Sequence, residues 1–226
     1  MYKRQKENNK IILNNKAQRF KARDIYVPGD ISSAAYFIVG ALLKEGNKIK
    51  LEKVGINPTR MGLINILKRM GAKIKILNQK MINNEPVGDI VVEYSKLHPV
   101  QIDKSEIPLF IDEIPIWAVA SLKAEGKTVI RGAKELRYKE CDRIKAIVTN
   151  LKSLGVKVKE YEDGFEMEVK KPIKENATIR TFNDHRIAMS FIIATLLTKK
   201  GLKFDDIESI RISYPGFISD LKKLQK

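Results

Sequence analysis

Three stretches of the chain are apolar over several helical turns, and each of them begins at an aspartate and is followed by a glycine. The aspartates are Asp30, Asp112 and Asp184, and the glycines are Gly46, Gly126 and Gly201. Aspartate accepts hydrogen bonds from the free N–H groups of a first helical turn, and glycine suits the left-handed residue that follows a helix. The pattern predicts three long helices, and the second and third are apolar on nearly all sides, which predicts that they are buried.

The same order of elements recurs after each of these helices. A short strand-like run follows, KIKLEKV in the first copy and KTVIRGA in the second, and then an amphipathic helix: MGLINILKRMGA, CDRIKAIVTNLKSLGV or FISDLKKL. Two further strands follow in the first two copies, for example KVKEYE and GFEMEVK. Three matching starts, breaks and spacings indicate three copies of one α/β (α+β) unit, at about residues 28–100, 101–176 and 177–226. Residues 1–27 do not match the repeat and are predicted to be a basic connector.

Composition narrows the class of protein. The single cysteine, Cys141, excludes an internal disulfide framework and fits a reducing, intracellular setting. The first residues, MYKRQKENNKIILNNK, contain no apolar run of the kind found in a signal peptide, and no stretch approaches the length of a membrane helix. We therefore expect a cytoplasmic protein without a membrane partner.

The net charge of +16 raises the alternative of a basic nucleic-acid-binding module. Outside the first 24 residues, however, the lysines are scattered along the chain. Aromatic residues make up only 7% and do not interleave with the basic runs, as a base-stacking surface requires. We therefore expect no nucleic-acid partner, and the charge also suits an enzyme with anionic substrates.

Three charged clusters stand at predicted helix starts or in the loops just before them. They are Phe110-Ile111-Asp112-Glu113, Arg137-Tyr138-Lys139-Glu140-Cys141-Asp142-Arg143 and Asn183-Asp184-His185-Arg186. Taken singly, each is explained by helix capping and local ion pairs. If the helices of the three copies begin at equivalent places, their N-termini converge at one end of the domain, where free N–H groups and helix dipoles attract anions.

The residue types within these clusters suggest separate roles. Arg143 and Arg186 offer the planar fork that grips a carboxylate or phosphate, and Lys139 adds a point charge. Asp112 and Glu140 are candidates for moving protons, because a carboxylate among cations is tuned by burial.

The remaining residues of the clusters are predicted to support them. Asp142 and Asp184 are interpreted as helix caps or as partners that orient the arginines, and His185 stands beside them. Cys141 is interpreted as a benign replacement and not as a nucleophile, since no general base is evident next to it. His98 and His185 lie far apart and no phosphate-loop motif is present, so we expect neither a metal nor a cofactor.

At these residues the chain resembles the 5-enolpyruvylshikimate-3-phosphate (EPSP) synthase family. The matching stretches are VPGDISSAA (27–35), NPTRMG (58–63), LKRMGAKI (67–74), IDEIP (111–115), KECDR (139–143) and NDHR (183–186). They follow in the family's order from about residue 20 to the end of the chain. The resemblance implies a fold of two domains, each with three βαβαββ units about a pseudo-threefold axis, which together form an inside-out α/β barrel.

The resemblance also implies a reaction and residue roles. The 5-hydroxyl of shikimate 3-phosphate adds to phosphoenolpyruvate, and the tetrahedral intermediate loses phosphate. Asp112 matches the family's proton acceptor, and Glu140 matches the residue that handles the proton at the methylene carbon. Lys139 matches a shikimate 3-phosphate contact, while Arg143 and Arg186 match phosphoenolpyruvate-binding arginines.

The family pattern is incomplete in this chain. Family members are about twice as long, so residues 28–226 resemble a C-terminal domain, and residues 1–27 would then be a remnant of the missing N-terminal domain, the expected partner. Ile212 stands where the family often has a lysine, and Cys141 stands where it has Ser or Thr. The alternative acceptor is UDP-N-acetylglucosamine, because YPGFISD (214–220) resembles the related enolpyruvyl transferase.

Overall fold

The computed structural model describes residues 3–7, 10–14, 22, 24–170 and 172–224. A hairpin at the start of the chain, β1 (Lys3–Glu7) and β2 (Lys10–Asn14), precedes the first repeat. The first repeat contains α1 (Ile31–Leu43), β3 (Lys48–Gly55), α2 (Gly62–Arg69), β4 (Lys73–Ile82) and β5 (Glu85–Glu93). The second contains α3 (Ile114–Ser121), β6 (Gly126–Ile130), α4 (Arg143–Ser153), β7 (Lys157–Tyr161) and β8 (Gly164–Val169). The third contains β9 (Thr178–Ile179), α5 (His185–Ala194), β10 (Lys203–Phe204), α6 (Ile210–Ser213) and α7 (Phe217–Lys223).

The sheets repeat in the same way as the helices. In the first repeat the strand order is β3-β5-β4, in the second it is β6-β8-β7, and all four pairings are antiparallel. The segment before each long helix pairs in parallel with the strand after it: Gly29 with Val54, Gln101 with Val129, and β9 with β10. Each repeat therefore begins with a βαβ crossover, which confirms the α/β class and completes the predicted βαβαββ order in the first two repeats.

The core lies where the three long helices meet. Helices α1, α3 and α5 contact one another, and nearly all of their residues are buried, as their apolar composition predicts. Trp117 of α3 packs between Phe110 and Phe165, so aromatic residues link this helix to its own sheet. No helix in the described part of the chain is long and apolar enough to cross a membrane.

The predicted helix starts are correct in the first and third repeats and wrong in the second. Asp30 caps α1 by accepting from the Ser33 N–H, and Asp184 caps α5 by accepting from two N–H groups. Asp112 is not a cap, because it lies in a 3-10 helix (Ile111–Glu113) that runs into α3. Pro115 near the start of α3 has no N–H, so this helix has one free donor fewer to satisfy.

The glycines that follow the long helices adopt the predicted left-handed conformation. Gly46, Gly126 and Gly201 have φ angles of 83°, 122° and 74°. The helices themselves end several residues earlier, and the glycines stand at the entry to the following strands instead of at the helix ends. The prediction of a break was therefore correct, and its placement at the last helical turn was wrong.

The hairpin formed by β1 and β2 was not predicted. Its strands fall within residues 1–27, which the sequence analysis interpreted as a basic connector. Residues 1–2, 8–9, 15–21 and 23 of the predicted connector lie outside the described residues. Neither KRQKE nor KIILN alternates apolar and polar residues, which is the pattern by which a strand is usually recognised.

Candidate active site

The three charged clusters of the sequence meet at the N-terminal ends of α3, α4 and α5. Asp112 lies in the turn that leads into α3, and Lys139 and Glu140 lie in the loop before α4. Arg143 is the first residue of α4, and Arg186 is the second residue of α5. These helices contact one another, so residues that are up to 74 positions apart in sequence come within contact distance.

Arg143 is the centre of this cluster. Its side chain is only 1% exposed and pairs with three carboxylates. Nε donates to Asp184 over 2.8 Å, Nη1 donates to Asp112 over 3.1 Å, and Nη2 donates to Glu140. Burial would lower the pKa of Arg143, but Asp184, Glu140 and Asp112 outweigh it and raise the pKa, so the guanidinium stays charged.

Asp112 lies among three cations. Its carboxylate is 3.1 Å from Arg143 Nη1, 3.7 Å from Arg186 Nη2 and 3.8 Å from Lys139 Nζ. Burial alone would raise the pKa of Asp112, but the charges of Arg186, Lys139 and Arg143 prevail and lower it. Asp112 is therefore ionised at neutral pH, and its side chain remains partly open to solvent.

Asp184 joins helix capping to the buried ion pair. One oxygen accepts from the N–H groups of Arg186 and Ile187, at 2.8 and 3.1 Å, and the other accepts from Arg143 Nε. The Asp184 side chain is completely buried. It thereby fixes the start of α5 relative to the start of α4.

Asp142 has different partners from Asp184. It caps α4 by accepting from the Lys145 N–H over 2.9 Å and pairs with Arg137 over 2.7 Å. Arg137 also donates to the backbone carbonyls of Tyr161 and Glu162, so it holds the loop before α4 against the turn between β7 and β8. No role was predicted for Arg137, although it lies inside the second cluster.

His185 and Glu140 complete the rim of the cluster. His185 Nδ1 lies 4.0 Å from a Glu140 oxygen. Burial lowers the pKa of His185 and outweighs the opposing effect of Asp184, so the imidazole is neutral at physiological pH. The Glu140 side chain is about half exposed, which leaves it accessible to a ligand.

Cys141 lies against Asp184, with Sγ 3.6 Å from Oδ2. Burial, reinforced by the Asp184 carboxylate, raises the pKa of the Cys141 thiol to about 12. This is the opposite of what a nucleophilic thiolate requires.

We expect iodoacetamide to label Cys141 very slowly at neutral pH, because only the thiolate reacts. The rate should rise by more than about 100-fold when the chain is unfolded in urea and the thiol returns to its ordinary pKa. Mass spectrometry of the intact chain measures both rates. Fast labelling of the folded chain would contradict this environment for Cys141.

A second group of side chains at the site was named in the sequence motifs but given no role there. Glu113 follows Asp112 and is almost fully buried, and it accepts from the hydroxyl of Ser32 in α1. Arg60, in a 3-10 helix (Pro58–Arg60), donates to Ser32 over 2.8 Å. Glu113 could have been noticed in the sequence because it stands next to Asp112 in the motif IDEIP. Nothing in the sequence indicated that it contacts Ser32 or Arg60.

The arrangement suits anions and proton transfer. Cations and helix N-termini face one cluster, and two carboxylates within it are partly exposed. Across the part of the chain that the structure describes, no three His, Cys, Asp or Glu residues are grouped to hold a metal ion. Ile212, which replaces the family lysine, is exposed, and the neighbouring Arg211 pairs with Glu208 over 3.2 Å.

Several known proteins are similar to this chain in sequence and in fold. The family model for EPSP synthase (3-phosphoshikimate 1-carboxyvinyltransferase) matches residues 3–221. The 3-phosphoshikimate 1-carboxyvinyltransferase of Petrotoga mobilis is 47% identical over 215 residues, which are 95% of this chain and 50% of that protein. The enzyme of the same name from Aquifex aeolicus is 46% identical over 92% of this chain and 48% of its own length.

The solved structures that resemble this chain point to the same family as the relatives found by sequence. EPSP synthase from Acinetobacter baumannii superposes with a TM-score of 0.91 at 40% identity, over 99% of this chain and 52% of that chain. The enolpyruvyl transferase NikO from Streptomyces tendae, at 19% identity and a TM-score of 0.68, shares the fold. The chain spans about half the length of the relatives it matches, and it belongs to the EPSP synthase family.

Proposed function

We propose that this chain supplies one half of the active site of a 3-phosphoshikimate 1-carboxyvinyltransferase. The complete enzyme transfers the enolpyruvyl group of phosphoenolpyruvate to the 5-hydroxyl of shikimate 3-phosphate and releases phosphate. The observation that carries the proposal is the ionised Asp112 held among Arg143, Arg186 and Lys139. The names of the relatives support shikimate 3-phosphate over UDP-N-acetylglucosamine as the acceptor.

In the proposed reaction, Asp112 accepts the proton of the 5-hydroxyl as its oxygen bonds to the central carbon of phosphoenolpyruvate. Glu140 delivers a proton to the methylene carbon, which gives the tetrahedral intermediate. Glu140 then takes a proton back from the resulting methyl carbon as the carbon–oxygen bond to phosphate breaks and the double bond re-forms. The proton held by Asp112 leaves with the released phosphate or to solvent. Asp112 is ionised and can therefore accept a proton, and the half-exposed Glu140 is accessible to a ligand.

The cations have complementary tasks. Lys139 would contact shikimate 3-phosphate, and Arg143 and Arg186 would bind phosphoenolpyruvate. Arg143 engages carboxylates through all three of its nitrogens and is only 1% exposed, so binding of phosphoenolpyruvate would require Asp112 or Glu140 to move aside. Asp142, Asp184 and His185 are proposed to support these groups by fixing the helix starts.

The missing half of the site is the N-terminal domain of the same enzyme, either on the same polypeptide or on a companion chain. Residues 28–226 are proposed to be the C-terminal domain, and residues 1–27 its connection to the partner domain. By itself the chain should bind phosphoenolpyruvate weakly and turn over little, because one wall of the cleft is absent.

The test measures phosphate release by the chain alone and after mixing with a separately produced N-terminal domain from a relative. We expect release only from the mixture, and only with shikimate 3-phosphate as the acceptor. Release with UDP-N-acetylglucosamine would favour the alternative transferase. Strong release by the chain alone would contradict the proposal that it is half a site.

The nucleic-acid alternative rests on the net charge of +16 and on the resemblance of such repeat units to those of RNA 3′-phosphate cyclase. It expects RNA affinity that falls steeply with salt. We expect no RNA binding at moderate salt, as measured by fluorescence anisotropy with a labelled oligonucleotide.

A further inference from the structure

Two hydrogen bonds and one longer ion pair connect the first repeat to an arginine of the proposed site. Arg60 donates from Nη2 to the hydroxyl of Ser32 over 2.8 Å, and the Ser32 hydroxyl donates to Oε1 of Glu113. The same Oε1 lies 3.8 Å from Nη1 of Arg186. One carboxylate oxygen therefore lies between a hydroxyl of α1 and the guanidinium of Arg186.

Glu113 is buried, so its carboxylate needs the hydrogen bond from Ser32. Its side chain is only 4% exposed, so its carboxylate depends on protein partners in place of water. Burial raises the pKa of Glu113, and the hydrogen bond from Ser32 and the charges of Arg186 and Arg60 oppose that rise. Ser32 satisfies the oxygen directly, whereas Arg186 stays beyond hydrogen-bonding distance from it.

We propose that Ser32 is a positioning residue for Arg186: its hydroxyl holds Glu113 and so keeps the Arg186 guanidinium available to an anionic substrate. The identity of that anion, phosphoenolpyruvate, rests on the proposed function. The three carboxylates that pair with Arg143 come from the second and third repeats. The first repeat would influence the site through the hydrogen bond from Ser32 to Glu113.

The physical reason is competition for one cation. Without the Ser32 hydroxyl, the buried oxygen of Glu113 loses its donor, and an unpaired buried carboxylate is costly. Arg186 then needs to move by only about 1 Å to form a hydrogen-bonded ion pair with Glu113. An incoming anion must break that pair before it binds Arg186, so its affinity falls.

The experiment titrates the chain with phosphoenolpyruvate and follows the side-chain 1H–15N signal of Arg186 by NMR. Ser32→Ala should weaken binding by about three- to tenfold, as coupling between contacting residues predicts. Ser33→Ala is the matched control, since that hydroxyl bonds to Asp30 on the same helix, and it should leave affinity unchanged.

The decisive comparison uses a background in which Glu113 carries no charge. Glu113→Gln should bind phosphoenolpyruvate at least as tightly as the wild type, because a neutral amide does not compete for Arg186. Adding Ser32→Ala to Glu113→Gln should then have no further effect on affinity. An equal loss in both backgrounds, or no loss from Ser32→Ala alone, would overturn the proposal.

A ligand-free measurement separates this inference from the proposed function. In the unbound chain, the Arg186 signal of Ser32→Ala should differ from that of the wild type, whereas the signal of Ser33→Ala should not. In the Glu113→Gln background, adding Ser32→Ala should leave the Arg186 signal unchanged. If the wild type does not bind phosphoenolpyruvate, the proposed function fails and this comparison still decides the role of Ser32. Should Ser32→Ala not fold, Arg60→Gln removes the donor to Ser32 and should weaken binding only when Glu113 is charged.

Discussion

Replacing Asp184 with alanine should lower the free energy of unfolding by about 3–5 kcal/mol, the range seen when one partner of a buried ion pair is removed. Asp184 is completely buried and pairs with Arg143, whose side chain is 1% exposed. The substitution leaves the guanidinium with only the partly exposed Asp112 and Glu140, and it also removes the cap of α5. Urea denaturation followed by circular dichroism measures the change.

The repeat provides a matched control at Asp30. This residue caps α1 as Asp184 caps α5, but it is about half exposed, and its ion pair with Arg60 is 3.7 Å long. Asp30→Ala should therefore cost only about 1 kcal/mol, the usual cost of a lost cap. Equal losses for Asp30→Ala and Asp184→Ala would show that capping, and not the pair with Arg143, explains the effect.

The sequence predicted the fold well because the same signals recur three times. An aspartate, an apolar helix and a glycine in the same order located α1, α3 and α5, and the amphipathic runs located α2, α4 and α7. The rule that an aspartate before an apolar helix caps that helix failed at Asp112, because the same sequence context also fits a 3-10 turn. Asp112 has the sequence context of a cap, yet the 3-10 turn before α3 leaves its carboxylate free for three cations.

The candidate residues of the site could be named from the sequence, but their partners could not. Arg143 was predicted to meet a substrate, and the structure places it under three carboxylates that come from different repeats or loops. Contacts such as Arg143 with Asp184 and Ser32 with Glu113 join positions that only the packing of α1, α3, α4 and α5 brings together. No periodicity or spacing carries that information.

Replacing Asp112 with asparagine should lower kcat of the assembled enzyme by about 100- to 10 000-fold, the contribution expected of a general base. Asparagine keeps the shape and can still accept from Arg143, so substrate binding should change much less than kcat. Asp103→Asn is the control, because Asp103 caps a 3-10 helix (Lys104–Leu109) and asparagine caps equally well. An unchanged kcat in Asp112→Asn would remove Asp112 as the proton acceptor.

The pH dependence of kcat tests the same assignment through the cations around Asp112. Arg186, Lys139 and Arg143 together lower the pKa of Asp112 against the effect of burial, so removing one of these charges should move the acid loss of activity. Lys139→Met removes one positive charge, which favours the neutral carboxyl and raises the pKa, so kcat should fall at a higher pH. The free substrates titrate identically in both assays, so the shift between the two profiles arises within the enzyme–substrate complex. Because kcat is measured at saturation, weaker binding of shikimate 3-phosphate by the variant does not imitate this shift.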